Sequence, residues 1–445
     1  MVFFPWILGS LLVGIYCPSA LSAAGLMDVY DLANQNDPQL QSIYFQTQAI
    51  KEGRRQAIAR LLPTIAGSAG YSQTDQDIKS SDNTVFGVGK TDFNTTTYGL
   101  SLSQPVFRWD LFVGLWQSKA ENLRAEAELV VAQQDLMVRV ADLYLQALAA
   151  KDRLDCARVE QAAVAKHLEL AKGRQEMGLI PITDLHDAMA RMAITQAETI
   201  QAQNALDDAL QALAEVTGEP IEKLMNLQDE ITLASPEPAD SEEWVKGALE
   251  RNPSIQLQKK AVEVARYEVK RQRAGHYPSV DLVGSFGNEE TEGSLFGGGS
   301  EVETTEIGVQ LNVPIFQGGL INSKVRQAAH QLSSVRQELK RQERAVARDA
   351  RSAYLGVYTA LSRIDALQQS VVSNRLALEA KKEGFMSGLY TSLNVLDAER
   401  DLSLVILDFA QARYEYILNS LKLKRSVGSL SVDDLTAVDR WFSVQ

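Results

Sequence analysis

Two very long stretches of this chain contain no proline, and that spacing restricts its fold more than any other feature. Seventy-five residues separate Pro105 from Pro181, and no proline follows Pro314. Both tracts are rich in Ala, Gln, Glu, Leu, Arg and Lys, all good helix formers. Apolar or small residues recur at Leu129, Leu136, Val140, Leu143, Ala147, Ala150 and Leu154. A second series is Leu332, Val335, Leu339, Val346, Ala350, Val357, Leu361, Ile364 and Val371. Steps of three, four and seven describe narrow seams of the coiled-coil kind. A helix of about 65 residues is about 100 Å long, far beyond the diameter of a compact domain. The pattern therefore predicts rods. On periodicity alone, a spectrin-like or solenoid protein without a channel stays equally open.

Four segments break the helical period: Thr64–Gln73, Thr95–Val106, Ser279–Asn288 and Thr304–Val313. In the second, Tyr98, Leu100 and Leu102 alternate with Gly99, Ser101 and Ser103; in the fourth, Ile307, Val309, Leu311 and Val313 alternate with Glu306, Gln310 and Asn312. Period-two alternation marks a strand with apolar surroundings on one side and water on the other. About ten residues suit a tilted strand crossing a bilayer. Polar, Gly- and Ser-rich loops, Thr74–Asn94 and Glu289–Glu303, are predicted to join the strands in pairs. A small soluble sheet capping a helical bundle is the alternative at this stage.

The chain repeats itself. Asn36-Asp37-Pro38-Gln39-Leu40 answers Arg251-Asn252-Pro253-Ser254-Ile255, and Leu62-Pro63-Thr64-Ile65 answers Tyr277-Pro278-Ser279-Val280. Gln104-Pro105-Val106-Phe107 answers Val313-Pro314-Ile315-Phe316, and the segment 178–188 answers 388–398. Four anchors in one order imply an internal duplication. We expect a signal segment over 1–24, a first repeat over 25–235 and a second over 236–445. Each half supplies two strands. Four strands cannot close a barrel, and an open sheet edge cannot sit in lipid, so closure requires further copies of the chain. Two copies give eight strands with a filled interior, whereas three or four leave room for a lumen.

Residues 1–24 carry no charge and hold the apolar run Ile7–Ile15, followed by small residues through Ala24. This reads as a secretory signal cut near Ala23 or Ala24. Tyr16 stands before Cys17 where a lipoprotein signal has a small residue, so lipidation is not expected. No later stretch reaches 18 consecutive apolar residues, the length of a membrane helix. The net charge of −13 leaves no basic surplus for a nucleic-acid backbone. Two cysteines and four scattered histidines offer no zinc spacing. No Gly-x-Ser-x-Gly elbow occurs, and Gly89-Lys90-Thr91 lacks the first glycine of a phosphate loop, with Thr84 in its place. We expect no enzyme, metal or cofactor.

Three motifs stand out: Val313-Pro314-Ile315-Phe316-Gln317-Gly318-Gly319-Leu320-Ile321-Asn322-Ser323, Asn394-Val395-Leu396-Asp397-Ala398 and Ala412-Arg413-Tyr414-Glu415-Tyr416. Through them the sequence resembles the TolC family of outer-membrane channel-tunnels. The resemblance implies a mainly α chain with a small β part, forming a homotrimer with a twelve-stranded transmembrane barrel, four strands per chain. An α-helical periplasmic barrel and an equatorial belt, here Gly218–Asn252 and Gly428–Gln445, would complete it. The implied role is a passive exit duct for tripartite efflux or type I secretion, lying in outer-membrane lipid and reaching into the periplasm. A periplasmic adaptor (membrane fusion protein) and an inner-membrane pump of ABC, RND or MFS type would be its partners.

The resemblance also implies a gate where two helix tips, Met177–Ala188 and Ser387–Ala398, meet. Asp397 matches one of the family's two ring-forming aspartates; the other position is Asn394. Thr183 and Asp184 match the first-tip partners of a tyrosine and an arginine that hold the family's tip shut. Those two positions are Phe385 and Tyr390 here, and neither makes the family's contact. On the residues alone, Asp184 and Asp187 equally suit helix capping. Gly178, Leu179, Gly388 and Leu389 are expected to meet the adaptor. Pro105, Phe107, Pro314, Phe316, Gly318 and Gly319 mark the strand-to-helix junctions. The competing function is a secreted or periplasmic structural coiled-coil protein with a small sheet and no pore.

Overall fold

The computed structural model describes residues 23–80, 88–228, 231, 233–294 and 297–443, so most of the expected signal segment lies outside it. The elements run α1 (Leu26–Asn36), α2 (Pro38–Ala59), β1 (Thr64–Ile78), β2 (Gly89–Phe107), α3 (Trp109–Glu176), α4 (Ile182–Thr217) and β3 (Asn226–Leu227). Then come α5 (Ser241–Arg251), α6 (Pro253–Ala274), β4 (Ser279–Ser294), β5 (Gly297–Asn312), α7 (Leu320–Met386), α8 (Ser392–Val427), α9 (Val432–Asp439) and β6 (Phe442–Ser443). The two proline-free tracts form α3 and α7, of 68 and 67 residues. Each is about 100 Å long at 1.5 Å per residue.

Local chemistry sets the helix starts. Asp37 accepts a hydrogen bond from the Leu40 amide and is followed by Pro38 at the first helical position. Asn252 accepts from Ser254 and Ile255 and is followed by Pro253. A capping side chain before a proline that lacks the orphan N–H is a favoured helix start. The repeated Asp/Asn-Pro anchor of the two halves is this device used twice.

Four strands form one antiparallel sheet in the order β1-β2-β4-β5. Register sorts its side chains onto two faces. One face pairs Ile65 with Leu102, Leu100 with Phe286, and Leu282 with Val309. The other pairs Ser101 with Ser285, Ser285 with Glu306, and Asp281 with Gln310. On the apolar face Ile307, Val309 and Leu311 expose 82%, 68% and 62% of their surface. The strands are longer than the alternation suggested: β1 and β2 stay paired from Thr64↔Ser103 to Ile78↔Gly89. Likewise β4 and β5 pair out to Ser294↔Gly297, so most of the expected loop residues are strand. Backbone hydrogen bonds close without regard to side-chain polarity. Alternation records where one face meets an apolar medium, not where the ladder ends. Gly89-Lys90-Thr91 therefore opens β2 rather than sitting in a loop.

Below the sheet the helices form an arc. In its upper half α3 packs between α2 and α6, and α6 packs on α7. Below, α3 packs on α4 and α8, and α7 on α8. Of the predicted seams, Leu136, Val140, Ala147, Leu154, Val346, Ala350, Val357 and Ile364 are buried. Where the neighbours change, α1, α5, α9 and the short β3–β6 pair wrap the arc. The larger of the two apolar clusters among the described residues lies here. Tyr144 is fully buried there, edge-on to Phe442 at 5.2 Å, with its hydroxyl 3.1 and 3.0 Å from the carbonyls of Ala24 and Met225.

If the apolar face meets lipid, an arginine in place of Val309 should cost about 2–4 kcal/mol at mid-depth. Membrane-inserted oligomer recovered after Val309→Arg is expected to fall sharply, while Gln310→Arg on the opposite face assembles normally.

Candidate functional site: the helical tips

Both tips are built alike. Helix α3 ends at Glu176 and α4 begins at Ile182; α7 ends at Met386 and α8 begins at Ser392. Gly178 (φ 72°) and Gly388 (φ 81°) take the left-handed backbone that lets each chain reverse. The amides of Leu179 and Leu389 then bond back to the carbonyls of Arg174 and Gly384, each at 2.8 Å. The Leu179 and Leu389 side chains project, exposed, from the ends of the rods.

The tip residues singled out from the sequence divide into separate local roles. Asn394 has a local role at the start of α8. Its Oδ1 accepts from the Thr391 amide at 3.0 Å while the Asn394 amide donates to the Thr391 hydroxyl at 3.3 Å, a capping box that starts α8. Thr183 donates to Asp184 at 3.3 Å within the first tip. Among the described residues Asp184 and Asp187 make no capping bond: α4 has no side-chain cap, and Asp184 lies in its first turn, where the helix dipole favours a carboxylate. Tyr390 lies against Gly384 so closely that a Cβ there would sit 2.3 Å from its ring. Phe385 is half-buried. Among the described residues no hydrogen bond or ion pair joins Thr183 or Asp184 to Phe385 or Tyr390.

A different link joins the two helix pairs. The Arg191 guanidinium on α4 donates to the Asp397 carboxylate on α8 at 3.2 Å. Asp397 is therefore charge-paired within its own chain. Arg400 on α8 faces Glu160 on α3 at 3.7 Å, and Lys382 on α7 meets Glu399 on α8 at 2.8 Å. Nothing in the sequence marked Arg191 as the partner of Asp397, because 206 residues separate them and the pairing depends on how two coils are set against each other.

Beside this link lies His167 on α3, whose buried Nδ1 has no hydrogen-bond partner among the described residues. Burial first, then the like charges of Arg191 and Arg174, hold its pKa below the ordinary value.

At the other end of the rods the expected junction residues all lie where strand becomes helix. Pro105 and Phe107 flank a register shift in β2, a place where a strand tolerates a missing donor. Pro314 and Phe316 lie in the extended link from β5 to α7, which ends in left-handed Gly318 (φ 58°) and Gly319 (φ 82°). Sequence reading missed the fork from Arg108 to Asp281 here, at 3.0 and 2.8 Å, on the polar face of the sheet.

The Ala412–Tyr416 motif also acquires a structural role. Arg413 donates to the Gln228 carbonyl. The Tyr416 hydroxyl accepts from the Ala234 amide at 3.0 Å and donates to the Ala234 carbonyl at 2.9 Å. Tyr414 donates to Asp152 at 2.6 Å. Burial raises the Asp152 carboxyl, with the Tyr414 hydrogen bond pulling the other way. The motif ties Gln228 and Ala234 to the rods.

The family described as outer membrane efflux protein matches residues 29–219 and 244–429. The chain belongs to this family. Outer membrane protein TolC of Vibrio cholerae is 33% identical over 430 residues, covering 96% of this chain and 95% of that protein. Alkaline protease secretion protein AprF of Pseudomonas aeruginosa is 30% identical over 420 residues, covering 94% and 87%. The crystal structure of the Campylobacter jejuni CmeC outer membrane channel shares the fold, with a TM-score of 0.79 at 19% identity over 94% of this chain and 90% of that one. Family membership accounts for the two-repeat layout of strands and rods. The Arg191–Asp397 pair is a feature read from this chain's own coordinates.

The depressed pKa of His167 carries a sign. The unfolded histidine takes up its proton near pH 6.5 while the folded one resists, so its contribution to tip stability is fully present above about pH 6.5. It is lost progressively as the pH falls toward the depressed value. Amide protection factors in the tip segments 160–200 and 380–405, taken relative to the intrinsic exchange rate at each pH, are expected to fall between pH 7 and pH 5. His167→Gln should flatten that dependence.

Proposed function

We propose that this protein is the outer-membrane exit duct of a tripartite efflux or type I secretion system, working as a homotrimer. One observation carries the reading. The sheet has an apolar face, a polar face and two edges, β1 and β5, with no strand beside them among the described residues. Each unmet backbone group costs several kcal/mol in hydrocarbon, so the edges must pair with other copies. Three chains give twelve strands, with the polar face inward around a water-filled lumen. The rods then continue the lumen into the periplasm. The chain passes cargo without driving it, so energy and contact come from an inner-membrane pump (ABC, RND or MFS type) and a periplasmic adaptor. The exposed turns at Gly178-Leu179 and Gly388-Leu389 are the surfaces offered to that adaptor. A soluble coiled-coil rod would leave the apolar face of the sheet in water.

The tips form the entrance, and Arg191–Asp397 is its latch in place of the family's tyrosine and arginine links. Exposed ion pairs contribute about 0.2–1 kcal/mol each, so three copies hold the closed state by up to about 3 kcal/mol. Phe385, Tyr390, Thr183 and Asp184 shape the tips, and Asn394 starts the helix that carries Asp397.

Two measurements test this. Detergent-extracted outer membranes should yield an oligomer that dissociates on heating; a stable water-soluble monomer in the periplasmic fraction would refute the duct. In planar bilayers, Arg191→Ala should raise the open population roughly 3- to 100-fold and increase cation preference by unmasking three carboxylates. Asp397→Asn should open the entrance to a similar extent but lower cation preference. Equal selectivity in the two variants would remove Asp397 from the aperture.

A further inference from the structure

We propose that the bilayer contact does not stop at the sheet but continues down the first three turns of α3, where Trp109, Trp116 and Lys119 seat the phosphate of an inner-leaflet phospholipid. The inference rests on the outer-membrane reading above. The exposed residues of upper α3 are Trp109, Trp116, Lys119, Leu123, Glu126 and Val130, at steps of seven, three, four, three and four. They form one stripe. Helices α2 and α6 of the same chain flank α3 at this level, so no other protomer packs alongside it. The stripe faces either the lumen or the outside.

The strand that feeds α3 decides which. Phe107 is paired with Val280 on the apolar face of the sheet. Arg108 turns to the polar face, where it forks onto Asp281. Trp109 returns to the apolar side, edge-on to Trp116 at 5.5 Å and to Tyr277 at 6.4 Å. The aromatic group is thus continuous with the surface that meets lipid, and indole rings favour that boundary.

Helix geometry brings the lower residues upward. Trp116 lies about 10 Å below Trp109 along the axis, but helical side chains lean toward the N-terminus, which here is the membrane end. Trp116 reaches up to Trp109, and Lys119 follows it with a long apolar stem. Lys119 has no ion-pair partner among the described residues, whereas Glu126 further down is paired with Lys51 at 3.7 Å. An unpaired ammonium below two indoles matches a lipid whose phosphate is anionic and whose acyl chains are apolar.

The test uses full-length mature oligomer in vesicles of phosphatidylethanolamine and phosphatidylglycerol, in a Trp244→Phe, Trp441→Phe background. With Trp109→Phe added, Trp116 is the remaining reporter; with Trp116→Phe, Trp109 is. A lipid carrying a nitroxide on its headgroup is expected to quench both at least twofold. Quenching of Trp109 without Trp116 would overturn the proposal and end the contact at the sheet. Protein that fails to float with the vesicles would overturn the outer-membrane reading itself. In native mass spectra of detergent-released oligomer, Lys119→Glu should reduce phosphatidylglycerol adducts at least twofold, with Lys119→Arg restoring them. Unchanged adducts with Lys119→Glu would overturn the role of Lys119.

Discussion

Hydrocarbon offers no hydrogen bonds, and the rest of this structure follows from that. A four-stranded sheet with one apolar face presents two rows of unmet backbone N–H and C=O groups along β1 and β5. In water those rows would be solvated, and the apolar face would be the difficulty. In lipid the apolar face is satisfied and the rows are the difficulty. The chain is therefore complete as a fold but incomplete as a membrane object. Its long helices inherit the same geometry, since each rod hangs from a strand and the arc of rods repeats the order of the sheet.

Much of this was legible in the sequence because its signals are local or periodic. The absence of proline gave the rods, and period two located the strands. The Asp37-Pro38 and Asn252-Pro253 anchors marked the duplication through helix-start chemistry. Strand ends were less legible, since backbone pairing past Gln73 and Asn288 owes nothing to side-chain alternation. Least legible were contacts fixed by how one coil is set against another. Asp397 could be singled out, but that Arg191 reaches it could not. Asn394 shows the reverse case: its neighbour Thr391 lies three residues earlier, so its capping role was available from sequence.

The tip and the middle of the molecule are stabilised by different kinds of interaction. The middle is held by buried apolar packing around Tyr144 and by side-chain bonds to backbone from Arg413 and Tyr416. The tip is held by partly exposed ion pairs, which salt and local charge can weaken. The proposed duct, with an entrance that opens and a waist that does not leak, calls for this division. His167 sits at the weaker end, where a single added proton changes the balance around Arg191.

Helices α3 and α7 each cross the waist, yet they have one set of neighbours above it and another below. A rotation of the lower pairs about one another need not be transmitted upward, because the bonds from Gln228 and Ala234 to α8 tie the chain to the rods between the two regimes. In the duct proposed above, the waist would act as a fixed collar on a bundle of staves: the foot would splay and close again while the mouth in the membrane keeps its bore.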